Sequence, residues 1–199
     1  KARYLMKAWW NTNMENKEAD KKPVDTKNKA NRISILKITV AGLFAALILL
    51  ATMLFKIPTG IGYVNLGDGF ILIASYLLGP AVFFPAAIGS GLADLIAGYP
   101  NYIPATFVIK GMMGLVAGLL LKNEKVGITR RILAFLIAEI IMIGGYFLYE
   151  SLPFMYGPAV AAGNLLANVG QGAVGILVGI LLTLALDRQR SSIRNKLNG

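Results

Sequence analysis

The chain has 199 residues, 56% of them hydrophobic and 15% charged, with a mean hydropathy of +0.61. Those values exclude an ordinary soluble domain and indicate an all-α integral membrane protein. The absence of Cys and His excludes disulfides, thiolate or imidazole metal sites and His-based catalysis. The net charge of +10 lies in polar flanks of apolar segments, which argues against a nucleic-acid partner and for a lipid bilayer.

Residues 1–34 are polar, and ten of the twenty Lys and Arg fall between Lys1 and Lys37. No short apolar core with a small-residue cleavage site follows these charges, so the segment is not a secretory signal peptide. Its composition predicts a disordered cytoplasmic tail holding both tryptophans, Trp9 and Trp10. The chain opens on Lys1, and Met14 is a candidate native start, so residues 1–13 need not be native.

Six apolar segments follow, forming a membrane domain over residues 35–187 with a basic tail at 188–199. The first runs from Ile38 to Phe55. Asp68–Leu78 and Ala81–Ile96 come next, split by Gly79-Pro80. The fourth covers Ala105–Leu121, the fifth Ile132–Tyr149 and the sixth Ala159–Leu186. The second and third are short for a hydrocarbon core of about 30 Å, which predicts tilt, burial against neighbours or capping by ordered loops.

Eighteen of the twenty basic residues fall on one side of this arrangement, leaving Lys56 outside and Lys110 within the membrane. The positive-inside rule therefore places both termini in the cytoplasm. With that orientation each polar residue in a span acquires a depth. Lys110 lies six residues past Pro104, about 9 Å into the fourth segment. A charge there costs at least about 2.5–3.5 kcal/mol and requires a partner or a wet cavity. Asp68, Asp94, Tyr146, Tyr149 and Glu150 arrive in the same outer half, with Glu139 near mid-depth. Asn164, Asn168 and Gln171, at spacings of four and three, share one face of the sixth segment. The inner halves, such as Met112–Leu121 and Ala173–Leu186, are nearly bare of polar groups.

Polar groups confined to one half suit a pocket open to the outside better than a proton or ion pathway, which needs them through the full thickness. The outer loops supply aromatic walls: Tyr63 and Asn65 in GYVNLGD, Tyr99 and Tyr102 in GYPNYIP, Tyr156 in PFMYGP. Plainer roles stand beside these. Asp94 and Lys110 can form a structural ion pair, Asn164 and Asn168 can join helices, and Asp68 can be a helix cap. Glu139 can be a buried neutral acid, and Tyr76 and Tyr149 are expected in an interfacial belt. In the first segment, Ala41/Ala45 and Gly42/Ala46 form two small-xxx-small pairs on which a neighbouring helix can pack closely.

The run Tyr63–Gly111 (YVNLGD, then GSGLADLIAGYPNYIPATFVIKG), with GNLLANVGQG later, resembles the S component of an energy-coupling factor vitamin transporter. It is most similar to the riboflavin-type branch, which includes members assigned to hydroxymethylpyrimidine or pyridoxine, and the resemblance covers about residues 35–186. It implies a six-helix bacterial plasma-membrane subunit without enzymatic activity or cofactor. Such a subunit captures a vitamin from outside and works with a transmembrane T component and two ATPases. The family's Ala-xxx-Ala face, which meets the T component, matches Ala41 and Ala45, and its pocket lies among the outer loops and helices four to six. Two departures count against a thiamin-type pocket: there is no pocket His, and both Trp are in the tail. A riboflavin-specific component is the alternative within the family. A small intramembrane enzyme using Asp68, Asp94 and Glu139 lacks a visible nucleophile–base pair. A self-sufficient secondary transporter lacks paired interrupted helices.

Overall fold

The computed structural model describes residues 2–19, 26–123 and 126–198; residues 20–25 of the N-terminal segment and Lys125, one of the basic residues that set the orientation, lie outside them. The chain folds into helices α1 (Ala2–Ala19), α2 (Thr26–Leu54), α3 (Gly67–Leu78), α4 (Phe83–Ala97), α5 (Ile103–Leu120), α6 (Ile128–Glu150) and α7 (Pro158–Asn198). Between α2 and α3 lies a two-stranded antiparallel hairpin, Ile57–Pro58 with Tyr63–Val64. Sequence periodicity gives no sign of this hairpin, since two-residue strands are too short to show alternation.

Where composition predicts disorder, Ala2–Ala19 is helical. Eleven of its eighteen residues are Ala, Arg, Leu, Met, Lys or Glu, all good helix formers, and it has no Gly or Pro. Its described side chains are exposed. At the other end, the sixth apolar segment and the basic tail form one helix of 41 residues.

Among the described residues, five stretches are long and apolar enough to cross a membrane: Ile35–Leu54, Gly67–Ala97, Pro100–Leu120, Ile128–Glu150 and Pro158–Leu197. The protein is thus a multi-pass, mainly helical membrane protein. The second and third expected segments are α3 and α4, which follow one another through a single 3-10 turn, Gly79–Val82. At 1.5 Å per residue, the twelve residues of α3 extend only about 18 Å. That length suffices because α3 is the central helix. Ten of its twelve residues are buried, and α2, α5 and α7 pack around it. A helix apolar on every side belongs in such a position.

The core is built on Ile71 and Leu72 of α3 with Ile48, Met113, Phe135 and Met142, all fully buried. Large apolar side chains on the outside, such as Leu148, Ile140 and Leu166, stand free for lipid contact. Between helices in lipid, close packing rather than water exclusion supplies the stability, so small residues mark the tightest crossings. Gly118 of α5 faces the backbone of Gly79 and Pro80, leaving no room for a Cβ, and Gly89 of α4 lies against the Ala45 carbonyl of α2.

The basic end of the bundle carries a buried cluster that sequence depth did not reveal. Tyr76, expected in an interfacial belt, is almost fully buried on α3. Its ring lies between the guanidinium groups of Arg131 at 4.5 Å and Arg190 at 3.9 Å, and its hydroxyl donates to Asp187. Arg131 Nη2 donates to Asp187 Oδ1 at 2.8 Å and Nη1 to Thr183 Oγ1 at 3.2 Å. Three arginines from α6 and α7 then satisfy the last carbonyls of α5. Arg130 donates to Leu120 O, Arg190 to Leu121 O, and Arg194 to both Leu121 O and Lys122 O. Cations at a helix C-terminus complement the exposed carbonyls and the helix dipole.

Candidate functional site

At the opposite end, the hairpin closes over a cavity among α2, α4, α5, α6 and α7. Two turns fix its rim. In the hairpin, Thr59 N–H donates to Gly62 O at 2.9 Å, and Gly62 N–H donates to Thr59 Oγ1 at 3.1 Å. After α4, Gly98 takes the left-handed conformation (φ 85°) and its N–H returns to Asp94 O and Leu95 O, which turns the chain sharply into Tyr99-Pro100. Tyrosine hydroxyls tie the loops together: Tyr99 donates to Gly62 O at 3.4 Å and Tyr156 to Ile61 O at 3.3 Å, while the Tyr102 hydroxyl lies 3.3 Å from Ile61 O.

Tyr102 is the hub of the aromatic wall. Its ring lies 6.2 Å from Tyr99, 6.2 Å from Tyr146, 5.8 Å from Tyr149 and 6.4 Å from Tyr156, all in tilted or edge-on geometry. Such arrangements are the favoured ones for aromatic pairs. Tyr63 adds a fifth neighbour through Tyr99, at 5.3 Å. The cavity, together with the solvent space at its mouth, amounts to about 490 Å³.

Its polar groups form three sets. At the floor, Lys110 forms a buried salt bridge with Asp68, whose second oxygen accepts from Gln171 Nε2 at 2.6 Å. Gln171 Oε1 accepts the Asn65 N–H at 2.9 Å, and Asn65 Oδ1 accepts the Gly67 N–H at 2.8 Å, so the hairpin is tied to α3 and α7 through one chain of bonds. The Lys110 ammonium also lies 5.4 Å from the Tyr146 ring centroid. On one wall, Tyr63 donates to Asp94 Oδ1 at 2.6 Å. Burial, reinforced by the Asp94 charge, pushes the Tyr63 hydroxyl well above the usual phenol range, so it remains a donor. On the other wall, Glu150 Oε1 accepts from Tyr102 at 3.1 Å and from Asn164 Nδ2 at 2.9 Å.

Of the ten residues read from the sequence as the binding site, nine line this cavity: Tyr63, Asn65, Tyr99, Tyr102, Lys110, Tyr146, Asn164, Asn168 and Gln171. Glu139 does not. It lies below, against Gly172 and Gly175 beside Asp68, and neither of its oxygens has a hydrogen-bond partner. The expected ion pair of Lys110 with Asp94 is replaced by one with Asp68, which therefore does more than cap α3. Depth along each helix brought all three residues to one level, but it carried no information about which way each pointed.

Thr52, Ser90, Asp94, Thr106 and Glu150 also line the cavity and were not assigned to it. Spacing could have found two of them. Thr106 is one turn before Lys110, and Glu150 one turn after Tyr146, so each shares a helix face with a residue already chosen. Thr52 carries no such signal, because its neighbours on α2 are apolar.

The arrangement is a narrow, aromatic-walled site with three polar atoms left without partners: Asp94 Oδ2, Glu150 Oε2 and Asn168 Nδ2. Buried polar atoms are nearly always satisfied, so unpartnered ones on residues that line a cavity make it a candidate binding site. They offer two acceptors and one donor.

The sequence is similar to those of known proteins over most of its length. Residues 32–188 match the profile of the family described as ECF-type riboflavin transporter, S component. The thiamine precursor transporter HmpT of Lactococcus lactis subsp. cremoris is 33% identical over 175 residues, covering 84% of this chain and 93% of that protein. An uncharacterized protein of Pyrococcus woesei is 36% identical over 131 residues, 64% of this chain and 86% of its own length. A UPF0397 protein of Streptococcus agalactiae serotype Ia is 31% identical over 174 residues, 80% and 94% respectively. Apolar helices around an aromatic site and the match over most of the chain lead to one conclusion: the chain belongs to the S-component family of ECF-type riboflavin transporters.

Proposed function

We propose that this protein is the substrate-capture subunit of an ATP-driven importer in a bacterial plasma membrane. It takes up a small heteroaromatic vitamin or vitamin precursor, hydroxymethylpyrimidine or pyridoxine ahead of riboflavin, from outside the cell. Six spans with both termini in the cytoplasm put the hairpin and the cavity mouth on the outer face. The observation that carries the reading is the set Asp94 Oδ2, Glu150 Oε2 and Asn168 Nδ2 between tyrosine walls. An aromatic ring bearing amino and hydroxyl donors and one ring-nitrogen acceptor satisfies all three. A phosphate ester meets two carboxylates and is repelled. The name of the Lactococcus relative, a thiamine precursor transporter, points the same way.

Calorimetry with a panel of vitamins on the purified protein tests this directly. Asn168→Ala is expected to weaken the preferred ligand by roughly 0.5–1.5 kcal/mol, the worth of one neutral hydrogen bond. Intact right-side-out vesicles should bind the ligand without detergent. Tight binding of a phosphorylated or purely aliphatic compound, or binding by inside-out vesicles alone, refutes the proposal.

Delivery is assigned to a complex with a transmembrane T component and two ATPases, docked through α2. The two small-residue pairs of that helix part company. Ala41 and Ala45 are half-buried, with the Ala45 backbone against Gly89, whereas Gly42 and Ala46 are exposed. The docking face therefore centres on Gly42 and Ala46, flanked by Ala41 and Ala45. Gly42→Leu or Ala46→Leu is expected to abolish co-purification with the T component and leave ligand affinity of the isolated subunit unchanged. Normal assembly of both variants would limit this face to lipid contact.

A further inference from the structure

We propose that α1 lies flat on the anionic cytoplasmic surface of the membrane as an interfacial helix, with Leu5, Met6, Trp9 and Trp10 set into the lipid. The proposal rests on the cytoplasmic N-terminus of the preceding section and involves no residue of the ligand cavity. Leu5, Met6, Trp9 and Trp10 follow Ala2 at spacings of three, four, seven and eight, the pattern of an apolar stripe along one helix face. All four side chains are exposed, Trp9 to 66% and Trp10 to 60%.

Exposed apolar residues elsewhere, such as Leu148 and Ile140, belong to membrane-crossing helices and face lipid. α1 is not among the crossing stretches, so its stripe meets lipid only where the helix rests on the bilayer surface. A helix of 18 residues is marginal in water on its own, and an apolar surface supplies the stabilisation it lacks. Two adjacent tryptophans suit that depth, with rings in the apolar layer and N–H groups among the headgroups. Charge selects which surface. Arg3 and Lys7, one turn apart, border the stripe, whereas Glu15 and Glu18 fall by their spacing on the opposite side. From Lys1 to Lys37 there are ten Lys and Arg against four acids, a balance that anionic headgroups attract. The surface is also always within reach. Six residues separate α1 from α2, and nine more precede Ile35, where the first crossing stretch begins. The end of α1 therefore stays within about 40 Å of the bilayer. Tethered in this way, its docking is an intramolecular step.

Trp9 and Trp10 are the two tryptophans of the chain, so tryptophan emission from the full chain reports on α1 alone. Emission is measured in liposomes of phosphatidylglycerol and phosphatidylcholine whose acyl chains carry bromine either near the headgroup or near the terminal methyl. Bromine near the headgroup is expected to cause the larger loss of emission, because an interfacial helix sinks only about 5–10 Å. The loss should shrink in liposomes of phosphatidylcholine alone. Met6→Glu and Asn11→Glu add the same charge, the first to the apolar stripe and the second to the opposite face. Met6→Glu is expected to abolish most of the quenching and Asn11→Glu to keep most of it. Both leaflets of a liposome carry the same lipids, so the result does not depend on which way the protein crosses, and a failure here leaves the substrate-capture reading standing. Emission that bromine does not quench overturns the proposal, whether it is red-shifted as in water or blue-shifted as against another protein surface. So do equal losses with and without phosphatidylglycerol, or equal losses in the two variants.

Discussion

Replacing Lys110 with alanine is expected to destabilise the fold by about 3–5 kcal/mol, the cost of stranding one member of a buried ion pair. Asp68 is fully buried and Lys110 only 3% exposed, so truncating the lysine leaves the carboxylate without its cation in a buried site. Asp68 keeps its bond from Gln171, but Glu139 lies close by with both oxygens unpartnered, and Lys110 is the cation between them and the cavity. At roughly 2–4 °C per kcal/mol for a chain of this size, the melting temperature should fall by roughly 6–20 °C. The double variant Lys110→Ala, Asp68→Asn removes both charges and should recover much of the loss, because an amide left alone is far cheaper to bury than a carboxylate. Differential scanning fluorimetry of the three proteins in one detergent decides the matter. A Lys110→Ala protein that melts with the wild type but binds ligand more weakly would make the lysine a ligand contact alone. Unchanged melting and unchanged affinity together would remove Lys110 from both roles.

Much of the candidate site was legible because burial in lipid is so costly for polar groups. Lys110, Asn164, Asn168 and Gln171 could be assigned a depth from residue counts alone, and nine of the ten chosen residues do line one cavity. Direction was the missing coordinate. Asp68 and Asp94 reach the same level as Lys110, and only the packing of α3 against α5 and α7 determines that Asp68 is the partner. The same gap explains Tyr76. Hydropathy reads a tyrosine near the end of an apolar segment as a belt residue, yet α3 is central, so its tyrosine is enclosed by Arg131 and Arg190. Those arginines count toward orientation as members of the basic flanks, and nothing in the residue pattern separates buried from exposed ones. The hairpin escaped notice for a different reason. Its order comes from hydroxyls of Tyr99, Tyr102 and Tyr156 reaching Ile61 and Gly62 from up to 95 residues away.

The tightest helix crossing should be sensitive to a single methyl group. At Gly118 a Cβ would meet the Gly79 carbonyl group and the Pro80 nitrogen, all backbone atoms that no rotamer change can move aside. Gly79 is itself constrained, with φ 63° in the turn that joins α3 to α4. Gly118→Ala is therefore expected to lower stability by about 1–3 kcal/mol, the usual cost of overpacking, or roughly 2–12 °C in melting temperature. The comparison that isolates this effect is Gly163→Ala on α7, where a Cβ has open space and helix propensity favours alanine by about 0.5–1 kcal/mol. Both changes add the same atom to a helix, so propensity alone predicts the same sign for each. Opposite signs are expected here. Because α5 carries Thr106 and Lys110, forcing it off the turn also tilts the cavity floor, and ligand affinity should fall in Gly118→Ala but not in Gly163→Ala. Equal melting of the two variants would mean that α5 and the turn do not approach closely in the membrane, and the placement of Lys110 under the cavity would lose its main support.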